Sequence, residues 1–147
     1  MLRAIIDSPE FFSPEIYQAK VKNPFEFVTS ALRVTDSEAQ VTHQLLRYLG
    51  RMGEPLFLAQ APTGYPDVAS SWVSADMLLT RMNFVSDLVS NRLPGTKISP
   101  ETLKNRDGLI RRIAPDSLSP ATQAVLAEAE GNQAVALLLA APEFQRR

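Results

Sequence analysis

Apolar residues recur at the helical spacing of three to four positions along nearly the whole chain, and proline and glycine mark the ends of each stretch. No stretch shows the strict alternation of apolar and polar residues that is typical of a half-buried strand. The helical pattern covers about residues 2–7, 24–32, 37–49, 75–91, 99–113, 119–130 and 132–140. The sequence therefore predicts an all-α fold, a single irregular domain of about six or seven helices over residues 1–147.

The segment that begins at Asn23 carries the clearest helix-start signal. Asn23 is a favoured N-cap residue, Pro24 suits the first helical position, and Glu26 completes the spacing of a capping box. We therefore assign structural roles to Asn23 and Pro24.

Residues 54–71 form a long proline- and glycine-rich loop with no clear period. At roughly 18 residues it exceeds ordinary connections, and loops of this length are usually functional or disordered. The apolar side chains of Phe57 and Tyr65, with Trp72 just beyond, indicate a packed and ordered loop. We assign structural roles in this loop to two residues, Gly64 and Pro66.

Arg81 breaks the pattern of the helix predicted over residues 75–91. The predicted polar side of this helix comprises Asp76, Thr80, Asn83 and Asp87, whereas Arg81 falls on the apolar side. A buried, unpaired guanidinium is costly, so we expect Arg81 to be mostly buried and bonded to carbonyls or an acid of the loop, tying the loop to the helix.

The alternative is a binding role for the same region. Arg81 would then present its charge to an anionic ligand in a pocket, and the rings of Tyr65 and Trp72 would act as stacking platforms instead of core anchors.

The residue types that usually carry catalysis are sparse. The absence of cysteine excludes disulfides, thiol catalysis and cysteine-type zinc sites. His43, the sole histidine, lies opposite a predicted apolar stripe that includes Val41 and Leu45, so we expect it to be exposed and to bind no metal. A hydrolytic carboxylate pair would have to come from Glu54, Asp67 and Asp76, which we interpret instead as solvated acids. We expect no cofactor.

Charge and hydropathy patterning exclude two further classes of partner. The 15 basic and 16 acidic residues are mixed along the chain, so there is no basic patch for nucleic acid. No apolar run is long enough to insert into a membrane. The opening MLRAIIDSPEFF is not a signal peptide, because Asp7 and Glu10 interrupt a short apolar stretch.

Several short motifs occur in the order found in one bacterial family. SPEFF at Ser8, KVKNPFEFVTSALR from Lys20, GYP…SSW…LLTRMNF, and the closing LLLAAPEFQRR resemble its signature runs. The family is the one catalogued as domain of unknown function 1800. The similarity covers essentially the whole chain but about the C-terminal third of a typical member. Tyr65 stands where tryptophan is usual, and DVAS from Asp67 replaces a glycine-rich segment.

The resemblance implies a mostly helical, often exported protein with no accepted reaction, and it implies a partner among other exported proteins. We therefore expect the C-terminal part of a larger protein, acting as a non-catalytic helical interaction or structural module of an exported or envelope-associated bacterial protein. The alternative is a ligand-binding or hydrolytic domain that uses a pocket near Tyr65, Trp72 and Arg81.

The resemblance also bears on self-association. If upstream helices normally cover this segment, an apolar patch before Gly53 is left exposed, and we expect the chain to self-associate through it.

Overall fold

The computed structural model describes residues 1–114 and 118–147, and most of these residues are helical, which confirms the all-α prediction. The helices are α1 (Leu2–Ile6), α2 (Pro24–Val34), α3 (His43–Arg51), α4 (Ala75–Val89), α5 (Pro100–Lys104), α6 (Arg106–Ile113), α7 (Pro120–Ala127), α8 (Gly131–Ala140) and α9 (Pro142–Gln145). A 3₁₀ turn spans Ala69–Ser71, and two short strands, β1 (Glu38–Ala39) and β2 (Thr96–Lys97), pair antiparallel. None of the described helices combines the length and the apolar character that crossing a bilayer requires.

The described residues form nine helices, more than the six or seven expected. Asn105 ends α5, and its side chain accepts from the backbone N–H of Gly108 at the start of α6, so the helix predicted over residues 99–113 is divided. Pro142 opens α9 as a separate turn, because proline cannot continue α8.

The third helix begins later than predicted. Its N-cap is Thr42, whose hydroxyl accepts from the backbone N–H of Leu45, and the residues before it pair with β2. Val41 therefore lies outside the helix and is exposed, not part of its apolar stripe as predicted.

The start of α2 has the capping box predicted from the sequence. The side chain of Asn23 accepts from the backbone N–H of Glu26 at 2.8 Å, and the Glu26 carboxylate accepts from that of Asn23 at 3.0 Å. Pro24 occupies the first turn. These bonds satisfy two of the helix donors that have no partner within α2.

The core is organised around α8, which packs against α4, α6, α7 and α9. Beside it, the rings of Phe27, Phe84, Phe144 and Tyr48 meet edge to face with centroids 5.4–5.9 Å apart. Such contacts add to the free energy of burial of these large side chains. They join α2, α3, α4 and α9 into one hydrophobic cluster.

The residues before α2 pair with the last residues of the chain. Val21 and Arg146 form an antiparallel bridge, the backbone N–H of Lys22 donates to the carbonyl of Gln145 at 2.9 Å, and that of Arg147 donates to Lys20 at 2.8 Å. We call this pairing of residues 20–22 with 145–147 the terminal ladder. It lies beside α4 and positions the groups that contact Arg81.

Candidate functional site

Arg81 lies on the buried face of α4, with Phe84, Val85 and Leu88. These positions follow Arg81 by three, four and seven residues, so the helical period aligns them with it. Only 1% of Arg81 is exposed. Thr80 is also buried, contrary to its predicted place on the polar side, and its hydroxyl is satisfied by donating to the carbonyl of Asp76 at 2.9 Å.

The guanidinium of Arg81 bonds to the terminal ladder. Its Nη1 donates to Oε1 of Gln145 and its Nη2 to the carbonyl oxygen of Lys22, each at 2.7 Å, and its Cζ lies 4.8 Å from the centroid of the Phe27 ring. The expectation that Arg81 bonds to the 54–71 loop is wrong. The ladder pairs residues 20–22 with 145–147, which lie far from Arg81 in sequence. The local spacing around Arg81 therefore cannot predict that these residues supply its acceptors.

The loop contributes charge, not a hydrogen bond, to Arg81. The carboxylate of Glu54 is buried and accepts from the backbone N–H of Phe25 at 2.9 Å. Burial raises the pKa of Glu54, while burial lowers the pKa of Arg81 to about 10 and the negative charge of Glu54 partly opposes that change. Arg81 therefore remains positive at neutral pH. Its Nε is buried and has no hydrogen-bond partner among the described residues.

Lys22 adds a third partly buried ionisable group. Its Nζ lies 4.0 Å from the centroid of the Phe144 ring. Burial lowers the pKa of Lys22 to about 8, a change that Arg81 reinforces and Glu26 opposes. Lys22, Glu54 and Arg81 thus form a cluster that links the ladder, α2 and α4.

Tyr65 and Trp72 pack against each other, and Tyr65 bonds to the start of the loop. Trp72 is 3% exposed, and the Tyr65 ring meets it edge to face with centroids 6.3 Å apart. The Tyr65 hydroxyl donates to the carbonyl of Pro55. Gly64, whose φ is +82°, provides a turn that other residues rarely adopt, and Pro66 is exposed.

The loop is less packed than expected. Apart from Glu54 its residues are exposed or half-buried, and Phe57 is 100% exposed. Five of the best-formed pockets on the described residues are lined by side chains other than Tyr65, Trp72 and Arg81.

The side chains of Asp67, Asp76 and His43 are all exposed. Asp67 pairs with Lys20 and, at 3.1 Å, with Arg147, and the hydrogen bond from Lys20 is the main cause that lowers the Asp67 pKa. Asp76 is exposed in the first turn of α4, and His43 is exposed as predicted. In the described part of the chain, no three His, Asp or Glu side chains are grouped as a metal site requires.

An apolar groove lies between α3 and the start of the loop. Its volume is about 600 Å³, and its lining residues are Val41, His43, Leu46, Arg47, Pro55, Leu56, Phe57 and Leu58. A turn closed by the backbone N–H of Leu58 on the carbonyl of Pro55 projects Phe57 into solvent with a φ of +60°. This left-handed backbone is strained for a bulky residue. This groove was not predicted from the sequence, although the apolar run PLFL at residues 55–58 was a signal for it.

The N-terminal segment, residues 2–17, presents a second apolar surface. Helix α1 has no buried residue. The exposed fractions lie between 42% and 77% for Leu2, Ile5, Ile6, Phe11, Phe12, Ile16 and Tyr17.

The whole chain exposes more surface than a compact monomer of its size. Its accessible area is 9415 Å² for a mass of 16.2 kDa. The usual scaling with mass gives about 7,500 Å², so the excess is roughly 2,000 Å².

Comparison with known proteins gives a family and no further relative. The model of the family described as "Protein of unknown function (DUF1800)" matches residues 1–146. No curated protein and no solved structure matches the chain.

Proposed function

The chain belongs to the family of proteins of unknown function DUF1800, and from its surface we propose that it is a non-catalytic helical module that binds another protein. The proposed setting is an exported or envelope-associated protein, as the motif resemblance implies. The binding surface comprises the N-terminal segment and the apolar groove.

The excess of exposed area carries this proposal. Specific protein interfaces bury about 1,200–2,000 Å² in total, about half from each partner, so the excess of roughly 2,000 Å² on one chain is larger than the share of one partner. The N-terminal segment and the groove expose Phe12, Tyr17 and Phe57, and aromatic residues are enriched at interfaces. Surface of this kind and size is typical of a protein contact.

The alternative of a ligand-binding or hydrolytic pocket has weaker support. Both Nη atoms of Arg81 already bond to the terminal ladder, Trp72 is buried, and the Tyr65 hydroxyl donates to Pro55. These three groups hold the fold together. The Nε of Arg81, which has no hydrogen-bond partner among the described residues, favours a ligand there.

Site-specific photocrosslinking tests the proposal in cells of the native host. A benzophenone amino acid is placed at Phe12, at Phe57 and, as a control, at the exposed Val125 on α7. Discrete covalent adducts from the first two positions and none from Val125 support the interaction module. Folded protein that gives no adduct from Phe12 or Phe57 contradicts it.

A further inference from the structure

We infer that the apolar groove of one chain binds the N-terminal segment of a second copy. The inference rests on the proposed function and names the partner. It follows from two exposed apolar surfaces that are complementary in hydrophobicity and in charge.

The two surfaces are complementary in hydrophobicity. The groove offers about 600 Å³ lined mainly by aliphatic and aromatic side chains. Across residues 5–12, Ile5, Ile6, Phe11 and Phe12 are exposed and stand in a short stretch with no buried apolar side chain. Each surface therefore loses unfavourable contact with water when it covers the other.

The two surfaces are also complementary in charge. The groove lining includes the base Arg47 and no acid, whereas the N-terminal segment has three acids, Asp7, Glu10 and Glu15, and one base, Arg3. None of the ion pairs within the described residues involves Arg47, Asp7 or Glu10. Docking the segment beside α3 brings unlike charges together at the rim, where they favour the correct partner.

The backbone conformation and the exposure of Phe57 also favour an occupied groove. Its strained φ of +60° presents a fully exposed aromatic ring, which gains nothing within a single chain. Residues with strained backbones cluster at functional sites. Covering the ring with Phe11 or Phe12 of a second copy gives it the packing that it lacks.

The available area fits the contact. Each chain carries one segment and one groove, so two copies that exchange segments bury both surfaces on both chains. A reciprocal exchange between two copies is two-fold symmetric and isologous, because each segment contacts the groove of the other chain, whereas a one-way, heterologous contact extends into a larger assembly. In either form the roughly 2,000 Å² of excess surface supplies the area that a stable interface needs.

Light scattering of three variants tests the inference through the mass in solution. The wild type should have the mass of two chains or more. The segment variant Ile6→Gln/Phe12→Gln and the groove variant Phe57→Asn should each be monomeric, with association at least tenfold weaker. Asparagine tolerates the left-handed backbone, so Phe57→Asn keeps the fold, which a thermal melt verifies. The control Val125→Gln removes an exposed apolar side chain on α7 and should associate like the wild type.

Mixing the two monomeric variants identifies the contact. The segment variant keeps an intact groove and the groove variant an intact segment, so an equimolar mixture should form a complex with the mass of two chains. A mixture that stays monomeric, or a Phe57→Asn variant that still associates, overturns the inference.

The photocrosslinks separate this inference from the proposed function. A monomeric wild type with adducts to a different protein overturns the second copy as partner and supports the interaction module. A monomeric wild type without adducts overturns both.

Discussion

Arginine suits position 81, because the guanidinium can donate hydrogen bonds to two acceptors at once. Its fork of donors reaches an amide oxygen of Gln145 and a backbone carbonyl of Lys22, and its flat face covers the Phe27 ring. Because both acceptors are neutral, the arrangement holds the ladder on α4 without neutralising the guanidinium. The nearby carboxylate of Glu54 supplies the opposing charge.

Arg81→Ala should destabilise the fold by about 2–4 kcal/mol, because it removes two bonds from a charged donor and leaves buried Glu54 without its counter-charge. Arg81→Lys should recover little of this loss, because one ammonium cannot match the forked geometry. Arg47→Ala, at an exposed position of α3, is the control and should change stability by no more than about 0.5 kcal/mol. Denaturant unfolding measures all three, and equal midpoints for Arg81→Ala and wild type would refute the structural role.

The burial of Lys22 predicts that the stability of the fold rises with pH. A lysine in an ordinary salt bridge has the opposite effect, because its pKa is raised on folding. Its pKa of about 8 in the folded chain lies below the ordinary lysine pKa of 10.5, so above pH 8 the unfolded chain binds the proton more strongly than the folded chain. The free energy of unfolding should therefore rise between about pH 8 and 9.5. Lys22→Met keeps the apolar stem, should be more stable than wild type at pH 7, and should lose this rise. A wild-type stability that falls across the same interval would contradict the burial of Lys22.

At the scale of elements, the N-cap of helix α2 tests how much a local sequence signal contributes to stability. Asn23→Ala removes the cap that accepts from the N–H of Glu26 and should cost about 1 kcal/mol. Ser30→Ala, in the middle of the same helix, should change stability by no more than about 0.5 kcal/mol. Thermal unfolding compares the two, and an equal effect would show that the cap contributes nothing in this context.

Local signals account for the elements that the sequence predicts well. Ser-Pro and Asn-Pro pairs begin α2, α5 and α7, because proline suits the first turn and a polar N-cap satisfies a free N–H. The two-residue strands β1 and β2 were missed because they are too short to show alternation. The division at Asn105 was missed because the apolar period continues across it.

Long-range contacts account for the parts of the site that could not be predicted. Burial of Arg81 follows from the helical period, but its acceptors lie 59 and 64 positions away in sequence. No pattern around Arg81 indicates that residues 20–22 pair with residues 145–147 beside it. The exposure of Phe57 has the same cause, since an apolar residue in a loop gives no sign of whether anything covers it.

The molecule combines a packed core with an apolar surface that is exposed to solvent. The rings of Phe27, Phe84 and Phe144 and four side chains of α8 are buried in the core, whereas α1 buries none. A five-residue helix that buries none of its side chains has little stability in water, because nucleation costs more than so few bonds return. The partner surface proposed for helix α1 is the groove of a second copy.

Hydrogen–deuterium exchange as a function of protein concentration tests this central claim most directly. At low concentration the amides of residues 2–17 and 56–58 should exchange rapidly, and as concentration rises both regions should become protected together, while the amides of α8 stay protected throughout. Exchange in both regions that does not change with concentration, or protection of one region without the other, would contradict the docking of the segment in the groove of a second copy.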